Sequence, residues 1–197
     1  ITTGVNPKIA PVDLLADDFK EKVGEHKSPE TRAAEIEHAI RHYIDVNLEE
    51  DPAFYQSLSE KLENILRVNG ERWEQLELDL MGFRDGLEEQ REYSANQEGL
   101  SLIEFSFYNL LTNEVKKVQK IDELDENDKI EIRKMVKDLV EKMDEASKIV
   151  DFFKKVNEIK KIKREIRRTI INSKFNNDEL QKIITEEFMD LAKVHFK

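Results

Sequence analysis

SPETRAAEIEHAIRHYIDVNLEEDPAFYQSLSEKLENIL, residues 28–66, holds two helix starts and two apolar stripes at helical spacing. Ser28 can accept one of the unpaired N–H groups of a first turn, and Pro29, which has no N–H to lose, suits the first helical position. Ala33, Ile36, Ile40 and Ile44 then recur every three or four residues, the signature of a helix with one buried face. The period fails over residues 46–50. Asp51-Pro52 restarts it, and Phe54, Leu58, Leu62, Ile65 and Leu66 form a second stripe. A helix, a tight break and a second helix are the expected result.

Outward from this pair the same grammar continues. Residues 1–10 lack periodicity and read as a linker; Pro11, Val12, Leu15, Phe19 and Val23 predict a helix ending at Gly24. After Asn69-Gly70, Trp73, Leu76, Leu80, Phe83 and Leu87 predict a long helix despite Gly82 and Gly86. Ser101 and Glu104 form a capping-box pattern in front of a very apolar segment containing Phe105, Phe107, Tyr108, Leu110 and Leu111. Residues 113–127 are charge-rich and read as either helix or loop, with Asp125, Asn127 and Asp128 as candidate caps for a helix through Ile132, Met135, Val136, Leu139, Val140 and Met143. A basic helix over 154–171, an Asn-rich break at 172–177 and a last helix through Leu180, Ile184, Phe188 and Leu191 complete the reading. The expectation is an all-α, bundle-like array of about seven or eight helices without a sheet. Its expected layout is a linker (1–10), a first helical subdomain (11–111), a charged connector (112–127) and a second helical subdomain (128–197) packed on the first.

Composition agrees with helices carrying wide solvated faces: of 197 residues, 39% are hydrophobic and 38% charged. The last Pro is Pro52 and the last Gly is Gly99, so the second half lacks the turn residues a sheet would need. A net charge of -11 argues against the whole surface binding nucleic acid, unless the basic residues are segregated. Cys is absent, which removes disulfides, thiolate zinc sites and Cys nucleophiles. With no apolar run of bilayer-spanning length and no signal segment, the chain reads as cytoplasmic with no membrane partner. Ile1 rather than Met at the start points to a piece of a longer polypeptide.

A phosphate-cradling loop needs a glycine turn leading into Lys, and no Gly here is followed by Lys. Asp122-Glu123-Leu124-Asp125 has the letters of a helicase metal motif, but Lys116, Lys117 and Lys120 precede it where an apolar strand belongs. Asp151 with Glu158-Ile159-Lys160 has the letters of a metal-dependent nuclease centre, in a helical period rather than on strands. His38 and His42, one helical turn apart, are weak candidate metal ligands; Ala39 stands where a zinc protease needs its general base. No Gly-x-Ser-x-Gly elbow is present. The expectation is a chain with no catalytic, cofactor or metal site.

One basic feature is segregated. Val156, Ile159, Ile162, Ile166 and Ile170 define the expected buried stripe of the basic helix. At about 100° per residue, Lys160, Lys161, Arg164, Arg167 and Arg168 share a neighbouring arc of about 120°, with Glu158 and Glu165 beyond it. Five cations on DNA phosphates would give a log K against log salt slope near about -4. The ridge could equally meet a partner protein, pair with the chain's own acids or face water, and no interleaved aromatic equips it to stack bases.

Residues 28–66 closely resemble the helical region at the C-terminal end of type I restriction enzyme R subunits. The most specific pieces are Ala34-Glu35-Ile36-Glu37-His38-Ala39-Ile40-Arg41 and Glu50-Asp51-Pro52-Ala53-Phe54-Tyr55. SLIEFSFYNLL (101–111) and residues 150–170 follow in the same order as in that family, with Phe152 where such sequences commonly carry Trp. The resemblance implies a parent with a metal-dependent nuclease and two helicase-like motor lobes, using ATP and Mg outside this chain. It further implies that these helices dock the R subunit onto the modification methyltransferase and pack against the motor domains. Duplex DNA through the ridge, and a stand-alone helical scaffold, are the competing expectations.

Overall fold

A computed structural model describes residues 13–196, in which eight α-helices and one 3-10 turn occur and no strand is found among the described residues. The helices are α1 (Phe19–Gly24), α2 (Pro29–Asn47), α3 (Pro52–Asn69), α4 (Trp73–Gln97), α5 (Leu102–Gln119), α6 (Glu126–Ser147), α7 (Val156–Ile171) and α8 (Asp178–His195), with the 3-10 turn at Phe152–Lys154. The all-α expectation holds. Contacts divide the described residues into two compact units, 13–48 with 54–93, and 49–53 with 94–196.

In the first unit the core is built by α1 to α4. Phe19, Ile36, Ile40, Leu58, Leu62 and Leu80 are fully buried, and they come from the stripes that periodicity picks out. Ser28 caps α2 as expected, its Oγ accepting from Thr31 N at 3.2 Å. Arg32 makes a paired contact with Glu77, Nε to Oε1 at 2.7 Å and Nη2 to Oε2 at 2.8 Å, and donates a third bond to the His26 carbonyl. That fork ties α2 to α4 and to the turn before α2 in the geometry that suits guanidinium and carboxylate best. Helix α1 begins at Phe19, later than the Pro11 start expected. Asp13 is the reason: its Oδ1 accepts from Leu15 N and its carbonyl from Ala16 N, holding the chain in turns. Pro11, Val12 and the expected 1–10 linker lie outside the described residues.

The second unit is built by α5 to α8 and the strap 49–53. Phe107, with no exposed surface, meets Phe188 edge-to-face at 4.9 Å, joining α5 to α8. Ile132, Val136, Leu139 and Met143 of α6, Ile166 and Ile170 of α7, and Leu180 and Ile184 of α8 fill the rest. Capping boxes open α5 (Ser101, Glu104) and α6 (Asp125, Asp128). Burial raises the Tyr108 hydroxyl to about 12, with Glu98 adding to the shift and Arg133 opposing it.

Two boundaries fall elsewhere than the sequence places them. Residue 111, the expected end of the first subdomain, lies inside α5, which packs against α6 and α8. The expected connector 112–127 is helical as far as Gln119, because Glu114 and Val115 are buried and extend the stripe, so only 120–125 separate α5 from α6. The turns after α5 and α6 use no glycine: Lys120 and Asp151 each take the left-handed conformation at φ 57.

Candidate interaction surfaces

Helix α7 carries a segregated cationic ridge, and its orientation follows from two isoleucines. Ile166 and Ile170 have no exposed surface and turn the helix so that the opposite face meets solvent. Lys160, Lys161, Arg164, Arg167 and Arg168 are all on that exposed side. Lys161 is held by Glu158 at 2.9 Å. Among the described residues the other four make no ion pair, whereas the flanking Lys163 is paired with Glu186 and Glu165 with Lys142. Glu186 of α8 and Lys142 of α6 thus neutralise the flanking charges of α7, while Lys160, Arg164, Arg167 and Arg168 stay uncompensated among the described residues.

The apolar stripe of α7 departs from expectation in its first half. Val156 is 62% exposed, and Ile159 and Ile162 are only half-buried. Just before the helix, Val150 is 79% exposed and Phe153 half-buried, while Phe152 beside it is buried, the two rings meeting at 4.9 Å. The cause is local: Asp151 stands at positive φ, the 3-10 turn seats Phe152 inside, and Val150 and Val156 on either side of it stay exposed. An apolar corner of Val150, Phe153, Val156, Ile159 and Ile162 therefore lies beside the cationic ridge. The sequence signal for it is present, since these residues form the stripe; what periodicity lacks is any statement of what covers them.

The remaining catalytic look-alikes have structural surroundings. His38 is half-buried and His42 exposed, and among the described residues no three His, Cys, Asp or Glu side chains converge to hold a metal. Within Asp122-Glu123-Leu124-Asp125, Leu124 is buried and Asp125 caps α6. Asp151 binds Lys154 and Glu158 binds Lys161, each one turn away along its own chain. Among the described residues no helix is long and apolar enough to cross a membrane.

The family model described as "Type I restriction enzyme HindI endonuclease subunit-like, C-terminal" matches residues 2–196. No curated protein and no solved structure matches the chain significantly.

Proposed function

The chain belongs to the type I restriction enzyme HindI endonuclease subunit-like C-terminal family, and from that premise we propose that it is a non-catalytic assembly module of the subunit. It seats the ATP-driven motor and nuclease on the modification methyltransferase core. The observation that carries this reading is the exposure of Val150 and Val156, beside which Phe153, Ile159 and Ile162 are only half-buried. Water against such side chains costs free energy that a partner recovers, about 1.5–3 kcal/mol for each large side chain fully buried. Apolar residues grouped beside cations match a docking patch with an apolar centre and a charged rim.

The test is assembly of the full-length subunit with its cognate methyltransferase, followed by size exclusion with light scattering. Val156→Asp with Ile159→Asp is expected to weaken the complex at least about tenfold, since a carboxylate buried without a partner is strongly disfavoured. Unchanged assembly would reject methyltransferase docking through this face. If assembly survives while the substituted subunit shows a thermal transition that the parent subunit lacks, the corner packs on the subunit's own motor domains.

A second reading is favoured by the four unpaired cations of α7: the ridge lies along duplex DNA and contacts phosphates without reading sequence. Four engaged phosphates predict a log K against log salt slope of about -3.6. Lys160→Glu, Arg164→Glu and Arg168→Glu together should abolish duplex binding by this chain in fluorescence anisotropy. Equal binding by the reversed variant would dismiss the reading.

A further inference from the structure

Two glutamates stand at or beside the buried stripes of α5 and α8, which pack on each other in the second unit. On α5, Glu114 follows Phe107 by seven residues and Leu111 by three, so the helical period places it among core positions, and it is buried. On α8, Glu187 follows Ile184 by three residues and precedes Leu191 by four; both of those are buried, and Glu187 is half-buried beside them. It also lines a cleft of about 500 Å³ with Glu49, Pro52, Leu110 and Leu191.

The two carboxyls are differently provided for. Glu114 is bound by Lys117, one turn further along α5. Glu187 has its Oε2 shut off from solvent with no hydrogen-bond partner. The cations around it are engaged elsewhere: Lys117 with Glu114, Lys193 with Asp190 at 2.7 Å and, from α7, Lys163 with Glu186. Glu49 of the strap adds only like charge. A carboxylate spreads its charge over both oxygens, so ionised Glu187 would keep part of that charge on a sealed atom with no donor, which is costly. A proton on Oε1 leaves Oε2 a carbonyl oxygen, for which an unmade hydrogen bond costs less. Burial first, then the charges of Glu114 and Asp190, hold the Glu187 carboxyl above the usual carboxylate range, with Lys117 opposing them.

We propose that Glu187 is a proton-binding site built into the packing of α5 on α8, and that its ionisation loosens this packing as the pH rises. The folded chain holds the proton more tightly than the unfolded chain does. Its stabilising contribution is therefore fully present below the ordinary carboxylate range and is lost as the pH rises through the elevated value of Glu187. Above that value the second unit carries a partly sealed negative charge with no cation of its own. The proposal uses neither the α7 face nor a partner, and it stands or falls separately from the assembly reading.

Carboxyl carbon NMR of the 197-residue chain, with the Glu187 signal assigned through the chain, reads the site directly. That signal should titrate above the glutamate value of about 4.3. Lys117→Gln, which removes an exposed side chain and the one opposing charge, should move it further up. Thermal unfolding supplies the second readout. Glu187→Gln, which copies the neutral carboxyl, should melt about 2–4 °C above the parent at about pH 8 and level with it at about pH 4. Taking the difference between the two proteins cancels every other titrating group. A Glu187 signal at or below the ordinary value would overturn the proposal, and so would a Glu187→Gln effect of the same size at both pH values, which would mark a packing change without proton linkage.

Discussion

Helices α5 and α7 are close in length, 18 and 16 residues, and both belong to the second unit. Eight residues of α5 are buried, including Phe107, Leu111 and even the polar Ser106 and Glu114; in α7 only Ile166 and Ile170 are. Yet α7 has the cleaner division between apolar and charged faces, while α5 is apolar over much of its circumference. Helix α5 packs against α6 and α8, and its buried Ser106 and Glu114 have partners within the helix, Ser106 Oγ donating to the Leu102 carbonyl at 3.0 Å and Glu114 accepting from Lys117. The stripe of α7 is fully buried only in its C-terminal half; earlier along it Ile159 and Ile162 are half-buried and Val156 is exposed. Amphipathic spacing selects the face a helix would bury; burial itself requires a neighbour along the whole length.

The contrast can be broken most sharply by truncating the same kind of contact in each helix. Phe107→Ala should cost about 3–5 kcal/mol in urea unfolding, because a sealed aromatic leaves a cavity. Ile159→Ala, on the half-buried part of the α7 stripe, should cost less, about 1–2 kcal/mol. Similar losses at the two sites would mean that the first half of α7 is covered after all. The helix starts give the next largest effect. Ser101 caps α5, its Oγ accepting from Glu104 N at 3.2 Å, while Lys155 stands at the corresponding place before α7 with no side-chain cap. Ser101→Ala should lose about 1 kcal/mol, and Lys155→Asp should gain up to a similar amount by supplying the missing acceptor and a favourable charge. No gain from Lys155→Asp would show that the turn geometry, rather than the side chain, limits α7. The smallest change concerns how α5 ends. Lys120 sits at φ 57, where a Cβ is strained, and Lys120→Gly should raise stability by about 0.5 kcal/mol after glycine's own entropy cost. A lower melting temperature in calorimetry would contradict this.

Much of the fold was legible because caps and stripes are local chemistry. Ser28, the Ser101–Glu104 pair and Asp125 each mark a helix start where they stand, and Ile36, Ile40, Leu58 and Leu62 are buried on the faces their spacing predicts. The ridge was legible for the same reason, since five cations in one arc require only the helical period. The start of α1 was missed because Asp13 competes for backbone N–H groups, and the end of α5 because nothing in the sequence reveals that Glu114 is buried. The cleft left no local signal. Glu49 and Pro52 are more than a hundred residues from Glu187 and Asp190 in sequence, and only folding brings them to one wall.

By itself, then, the sequence determined the helices, their apolar faces and the exclusion of disulfide and thiolate chemistry, because each depends on residue type and on spacing within a few turns. Tertiary structure decided which stripes are covered, which cations stay unpaired and which distant residues share one wall. Those properties depend on neighbours distant in the chain, and the free energy of burying or pairing a group belongs to the contact rather than to the residue.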